Sequence, residues 1–359
     1  MVDYFYFHAS NYMNPVSQRL LSQQLICPQF ASPREVVNWM GAMQAQDHKG
    51  MRWAVAMRTK KPSLKAFQKA FNSGEIVRFH LMRGTWQLIS AEDYWPFIQL
   101  CAPKAIAVTR GWMASNHISI PDEELLRIRE ILCQIIADKR SATKEDIVQG
   151  LAERDVRMDD HRLSYHLRMS EFAGVICSGD LLPIRATYAL SADKLPAPAQ
   201  TDRDEALMIF TRKYFRHSQP ATLEDFSWWS GLNQSDCKRG IAMLGDWLHT
   251  EKWHGREFYL TDDARTRGFQ KGRCILLPPF DEYLISYKSR DIVLHPDYTH
   301  RAHNNSGIFW PVILQDGQVA GNWASSKDKV TVEPFSEYMG LNQESLEAEI
   351  ARYVNYLKR

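Results

Sequence analysis

Apolar residues recur at helical spacing from Asp122 to Asp138 and again from Arg203 to Phe215. Each run leads into nearly the same short segment. Ser141-Ala-Thr-Lys-Glu-Asp-Ile147 returns as Pro220-Ala-Thr-Leu-Glu-Asp-Phe226. After each segment come a short helix, a further candidate helix and two strand-like runs. The strands are Val175 to Cys177 and Thr187 to Leu190 in the first copy, and Trp247 to Glu251 and Glu257 to Leu260 in the second. Each copy spans roughly 75 residues, so the chain is internally repeated. Thr143 and Thr222 suit helix N-caps, because a hydroxyl accepts from orphan backbone N–H groups. Asp146 and Asp225 then stand at the third helical position, where a carboxylate complements the helix dipole.

Helix, helix, helix, hairpin is the layout of a winged helix, whose third helix usually enters a DNA groove. The expected third helices are His161 to Phe172 and Gln234 to Leu244. A divergent copy precedes these two. Pro15 to Leu25 reads as a helix, Ser32-Pro33 opens a second at Arg34 to Met43, and Ser63 to Phe71 is another. Ile76 to Met82 and Thr85 to Ile89 then flank Arg83-Gly84 as a hairpin with a tight turn. Ala91 to Leu100 closes this copy as a helix.

Breaks at Asn116 to Pro121 and at Leu195-Pro-Ala-Pro-Ala199 separate the copies. After Gly272 the pattern changes to apolar strand-like runs and a final amphipathic helix, Leu341 to Leu357. The expected fold class is therefore α+β: three tandem winged-helix units, 1–118, 119–199 and 200–272, followed by a C-terminal α+β domain at 273–359.

Composition changes this picture little. The chain has 359 residues, 45% hydrophobic and 24% charged, an ordinary globular balance with enough apolar material for several cores. No apolar stretch is long enough to span a membrane, and the first residues lack a signal-peptide pattern. Six scattered cysteines without a C-x-x-C pair read as reduced thiols, which suits the cytoplasm. Loose histidine spacings, His161 with His166 and His295 with His300 and His303, do not form a metal-ligand set. No metal and no cofactor are expected.

Net charge is only +2, but its distribution is uneven. Between His48 and Arg83 stand nine Lys or Arg residues and a single acid, Glu75. A local basic surface can bind phosphates on a nearly neutral protein. Lys49, Arg52, Arg58, Lys60, Lys61, Arg78 and Arg83 are the expected DNA contacts. The dinucleotide, phosphate-loop, zinc-protease, serine-hydrolase and deaminase signatures are all missing.

The more specific chemistry is Gly41-Ala-Met-Gln-Ala-Gln-Asp47. If this segment is extended, the amides of Gln44 and Gln46 project to one side. Two neutral carboxamides can hold a water or a sugar edge without adding charge. This block resembles the AlkZ/AlkX (YcaQ) family of winged-helix alkylpurine DNA glycosylases. So do Val77 to Asp93, Pro220 to Gly231 and Leu277 to Arg290, in the same order along the chain.

The resemblance implies three winged-helix units around duplex DNA and a Gln-apolar-Gln motif in the active site. Gln44 and Gln46 match that motif with Ala45 between them, which places the chain on the AlkZ side. They are then the expected catalytic residues, with Asp47, His80, Trp86 and Gln87 as possible lining. The implied activity is hydrolysis of the N-glycosidic bond of N-alkylated purines, or of interstrand cross-links, in damaged duplex DNA. A winged-helix DNA binder or regulator without catalysis is the alternative. Trp228 and Trp229 are expected in the core, and Arg290 with Asp281 as an ion pair.

Overall fold

The computed structural model describes residues 14–198, 201–253, 255–326, 329–336 and 340–358. Its first third holds α1 (Pro15–Ser22), α2 (Pro33–Met40), β1 (Ala42–Gln44), α3 (Gly50–Ala56), α4 (Leu64–Asn72), β2 (Ile76–His80), β3 (Trp86–Ser90) and the long α5 (Tyr94–Ser115). The repeat follows. Its first copy is α6 (Asp122–Lys139), β4 (Ala142–Thr143), α7 (Lys144–Ala152), α8 (Asp160–Phe172), β5 (Ile176–Ser178), β6 (Thr187–Leu190) and α9 (Ser191–Lys194). Its second copy is α10 (Arg203–Ser218), α11 (Leu223–Ser230), α12 (Gln234–Met243), β7 (Leu248–Trp253) and β8 (Arg256–Thr261). The last part has β9 (Cys274–Leu277), α13 (Glu282–Ile285), α14 (Thr299–Ala302), β10 (Val312–Gln315), β11 (Gln318–Ser326), β12 (Lys329–Pro334) and α15 (Gln343–Lys358). The fold class is α+β.

Local chemistry sets the helix starts. Thr143 and Thr222 each accept from the backbone N–H three residues on, and Asp146 and Asp225 return the bond to the cap's own N–H. Ser32 and Glu35 form the same reciprocal box ahead of α2, with Pro33 at the first helical position. Each box is worth about 1 kcal/mol.

Four sheets are built from the described strands, in the orders β1-β3-β2, β4-β6-β5, β7-β8 and β12-β11-β10-β9, all antiparallel. The first sheet departs from a plain hairpin, because β1 adds to β3 with Ala42 opposite Ile89 and Gln44 opposite Gln87. The turn between β2 and β3 is a short 3-10 turn, Met82–Gly84, with Arg83 at φ +53° and Gly84 at φ +70°.

Two of the hydrophobic cores join segments far apart in sequence. One packs Leu20 and Trp53 against Leu276, Tyr283, Ile313 and Tyr353. Trp53 is buried, donates its indole N–H to the Leu276 carbonyl at 2.8 Å, and meets Tyr353 edge-on at 5.1 Å. Truncating an indole buried this way costs about 3–5 kcal/mol. The other core packs Val77, Phe79 and Ile89 against Phe210, Trp229 and Tyr287. One face of the first sheet is thereby pressed against α10 and α11, and β1 is held beside α13. Among the described residues, no helix is long and apolar enough to cross a membrane.

Candidate functional site

Gln44 is the last residue of β1 and lies opposite Gln87 across the sheet, so both amides share a face. Gln87 Nε2 donates to Gln44 Oε1 at 3.4 Å and to Thr85 Oγ1 at 2.9 Å. Gln44 Oε1 also accepts the Ala45 N–H at 3.1 Å. The backbone N–H of Gln44 donates to Glu282 Oε1 at 2.6 Å. Gln44 is buried, whereas Gln46 is exposed. Among the described residues no protein group accepts from Gln44 Nε2 or bonds the Gln46 amide. One amide is therefore anchored by its oxygen, and the other is open.

Glu282 carries the anchor. Its second oxygen accepts the Trp229 indole N–H at 3.1 Å and the Ser286 hydroxyl. The side chain is buried, and burial pushes its carboxyl above the ordinary carboxylate range, opposed by the Ser286 and Gln44 hydrogen bonds. Nothing in the local pattern around Glu282 marks this role. It lies inside the Leu277 to Arg290 block, whose position against β1 only the fold reveals.

Asp47 does not line an open cleft with its Oδ1. That oxygen accepts the N–H groups of Lys49 at 3.1 Å and Gly50 at 2.5 Å and so turns the chain into α3. A Cβ on Gly50 would stand 3.1 Å from the Pro279 ring, so the motif and the Pro279-Phe280 segment touch closely.

His80 and Trp86 project from the opposite face to Gln44. The rings pack against each other at a tilt of 39°, with centroids 3.8 Å apart. His80 Nδ1 lies 2.5 Å from Glu171 Oε2, and burial holds the imidazole below its usual range, against the pull of Glu171. A neutral His80 donating Nδ1–H to a carboxylate fits both observations.

The basic stretch divides into two groups. Lys49, Lys60 and Lys61 are exposed and stay available to phosphate. Arg58 is not. Its guanidinium is fully buried and grips Asp281 through two bonds of 2.8 and 2.9 Å, with further bonds to Gln23 and the Ala54 carbonyl. A charge this deep needs its partner and has no path to DNA. Asp281 is thus the partner of Arg58 and not of Arg290, whose bonds go to the Leu284 and Lys288 carbonyls.

Arg78 is also buried. It donates to the Ala45 carbonyl at 2.9 Å and lies 3.7 Å over Trp86, and burial lowers its pKa to about 10. Arg52 is half-buried and binds His48 and the Leu182 and Pro183 carbonyls. Arg83 donates to the carbonyls of Trp228 and Trp229 at 2.6 and 2.7 Å, at the C-terminus of α11. That is a favourable place for a cation against the helix dipole. Of the two tryptophans only Trp229 is core, while Trp228 is 42% exposed. A groove of about 670 Å³ runs along Thr222, Asp225, Arg256 and Lys288, and neither Gln44 nor Gln46 lines it.

Over most of its length the chain is similar to known proteins. The family described as DNA glycosylase AlkZ-like matches residues 37–356, and the chain belongs to that family. It is 25% identical over 352 residues to an interstrand DNA cross-link repair glycosylase of Streptomyces sahachiroi, covering 90% of this chain and 92% of that one. The solved structure of the Streptomyces sahachiroi DNA glycosylase AlkZ superposes with a TM-score of 0.76 at 23% identity, over 95% of this chain and 96% of that one. The fold is therefore shared with it.

Proposed function

We propose that this protein is a DNA-repair glycosylase that hydrolyses the N-glycosidic bond of N-alkylated purines, including cross-linked ones, in duplex DNA. Family membership supports the reaction class, and the named relative supports the cross-link as a substrate. We read residues 14–118, 119–199 and 200–272 as winged-helix units that carry the duplex, with 273–359 as the domain that braces the site.

Alkylation at N7 leaves the purine positively charged. When the C1′–N9 bond breaks, its electron pair neutralises the base, which departs without help from an acid. Water adds to C1′, and its proton passes to solvent. The protein must hold that water and accommodate an oxocarbenium-like sugar. Gln44 presents an unpartnered Nε2 because its oxygen is already taken by Gln87 and Ala45. The open Gln46 amide stands two residues on. Neither is a strong base, so unmodified nucleotides, whose base is a poor leaving group, stay intact. Lys49, Lys60 and Lys61 contribute phosphate contacts whose strength falls with salt.

The observation that carries this reading is the anchored-and-open pair of amides. The test is release of free base from duplex DNA carrying N7-methylguanine, and unhooking of an N7 cross-linked duplex, by the wild type and by a Gln44→Ala, Gln46→Ala double variant. Release that is lost in a variant still able to bind DNA supports the assignment. Wild-type binding without release from either substrate refutes it.

A further inference from the structure

An exposed indole, Trp228, has two guanidinium groups within 6 Å of its ring centre, on the Gln44 side of the first sheet. Arg83 lies 5.9 Å and Arg290 5.7 Å from the Trp228 ring centre. The indole is fixed in place by its N–H bond to the Ile285 carbonyl at 3.1 Å. Its neighbour Trp229 donates to Glu282, the same carboxyl that holds the Gln44 N–H. Trp228 is thus coupled to the amide pair through one residue and one carboxylate.

The wall continues beyond Arg290, which also lies 4.9 Å over Phe309, and Phe309 packs near the half-buried Phe280 at 6.4 Å. Phe280 has φ +58°, a conformation that side chains rarely adopt and that gathers at functional surfaces. It follows Pro279, which touches the start of α3 just after the motif. Arg290 Nη2 is buried with no hydrogen-bond acceptor among the described residues. Two half-buried cations near one exposed aromatic, with no carboxylate bonded to either guanidinium among the described residues, leave a site complementary to a phosphate next to a flat ring.

We propose that Trp228, flanked by Arg83 and Arg290, receives one nucleotide displaced from the duplex beside the lesion, with its base on the indole and its phosphate between the guanidiniums. This inference rests on the DNA-repair reading. Aromatic stacking tolerates any base, and arginines supply the backbone contact. Displacing a nucleotide is easiest where pairing is already broken. The platform therefore favours damaged over intact duplex without reading sequence.

The experiment compares affinity for two duplexes, one intact and one carrying a tetrahydrofuran abasic-site analogue, by fluorescence anisotropy. Trp228→Ala is expected to weaken binding to the abasic duplex about tenfold and to the intact duplex by less than threefold. Trp228→Phe keeps a ring but loses the Ile285 hydrogen bond, and is expected to stay within about threefold on both. Arg290→Gln is expected to lower the slope of log affinity against log salt by about one. Thermal melts establish that each variant is folded. Equal losses in Trp228→Ala and Trp228→Phe, or Trp228→Ala binding within twofold of wild type on the abasic duplex, overturn the proposal. Affinity needs no turnover, so a wild type that binds but releases no base refutes the glycosylase reading while the Trp228 comparison still decides this one.

Discussion

The backbone N–H of Gln44 donates to the buried carboxyl of Glu282, tying the polar end of β1 to a helix 238 residues further along the chain. The same carboxyl receives Trp229 and Ser286, so three donors from three segments converge on two oxygens. The geometry of the amide motif therefore depends on the C-terminal part of the molecule.

Glu282→Gln tests that dependence. An amide offers one acceptor oxygen, and its NH2 group must face a donor. The expected cost is about 1–3 kcal/mol, the usual penalty for leaving a buried donor unmet. A lower urea midpoint, with base release falling by more than the folded fraction does, is the expected result. Unchanged release in a folded variant would show that the motif holds its shape without the carboxylate.

Gln44 and Gln46 separate by stability. Gln44→Ala removes the acceptor for Gln87 and Ala45 and is expected to cost about 1 kcal/mol. Gln46→Ala, at an exposed position without a partner among the described residues, is expected to move stability by less than about 0.5 kcal/mol. Both are expected to slow base release about 10–1,000-fold in single-turnover assays, the range for losing one positioned hydrogen-bonding group. Full activity in Gln46→Ala would remove it from the site.

Arg58→Ala is expected to behave as a folding variant. It strands the Asp281 carboxylate in a buried position, and breaking one half of such a pair costs about 3–5 kcal/mol. Lys60→Ala, by contrast, is expected to leave the melt unchanged and weaken DNA binding more at low salt than at high salt. Chemical denaturation and anisotropy, run on both variants, distinguish the two roles.

His48 predicts acid sensitivity. Burial, then the charges of Arg52 and Arg78, lower its pKa to about 4, and Arg52 Nη2 lies 2.7 Å from His48 Nδ1. Between pH 6.5 and about 4 the unfolded chain takes up a proton that the folded protein refuses. The His48 contribution is thus present above pH 6.5 and is lost as pH falls toward 4. His48→Gln is expected to flatten the fall in urea midpoint between pH 7 and 4.5. Some slope remains, because burial also lowers His80, His166 and His217. Identical slopes in both proteins would place His48 in a solvated position.

Much of the secondary structure was legible in the sequence by itself, because a helix start depends on groups within about four residues of it. Thr143 with Asp146, and Thr222 with Asp225, close the capping boxes that their spacing announces. α8 and α12 lie within a residue of their expected limits. The Gln-Ala-Gln spacing of Gln44 and Gln46 is local in the same way, whereas the partner that the sheet gives Gln44 is Gln87.

The surroundings of that pair were decided by packing between distant segments. Composition counts Arg58 and Lys60 alike, yet one is sealed against Asp281 and the other faces solvent. Trp228 and Trp229 are adjacent in one helix, and a turn of about 100° per residue sends one to the core and the other to the surface. Which side of α11 became the core, and which carboxylate came to rest on Gln44, depended on where α10, β3 and α13 docked. Contacts across more than 200 residues leave no periodic trace in the chain, so tertiary structure alone decided them.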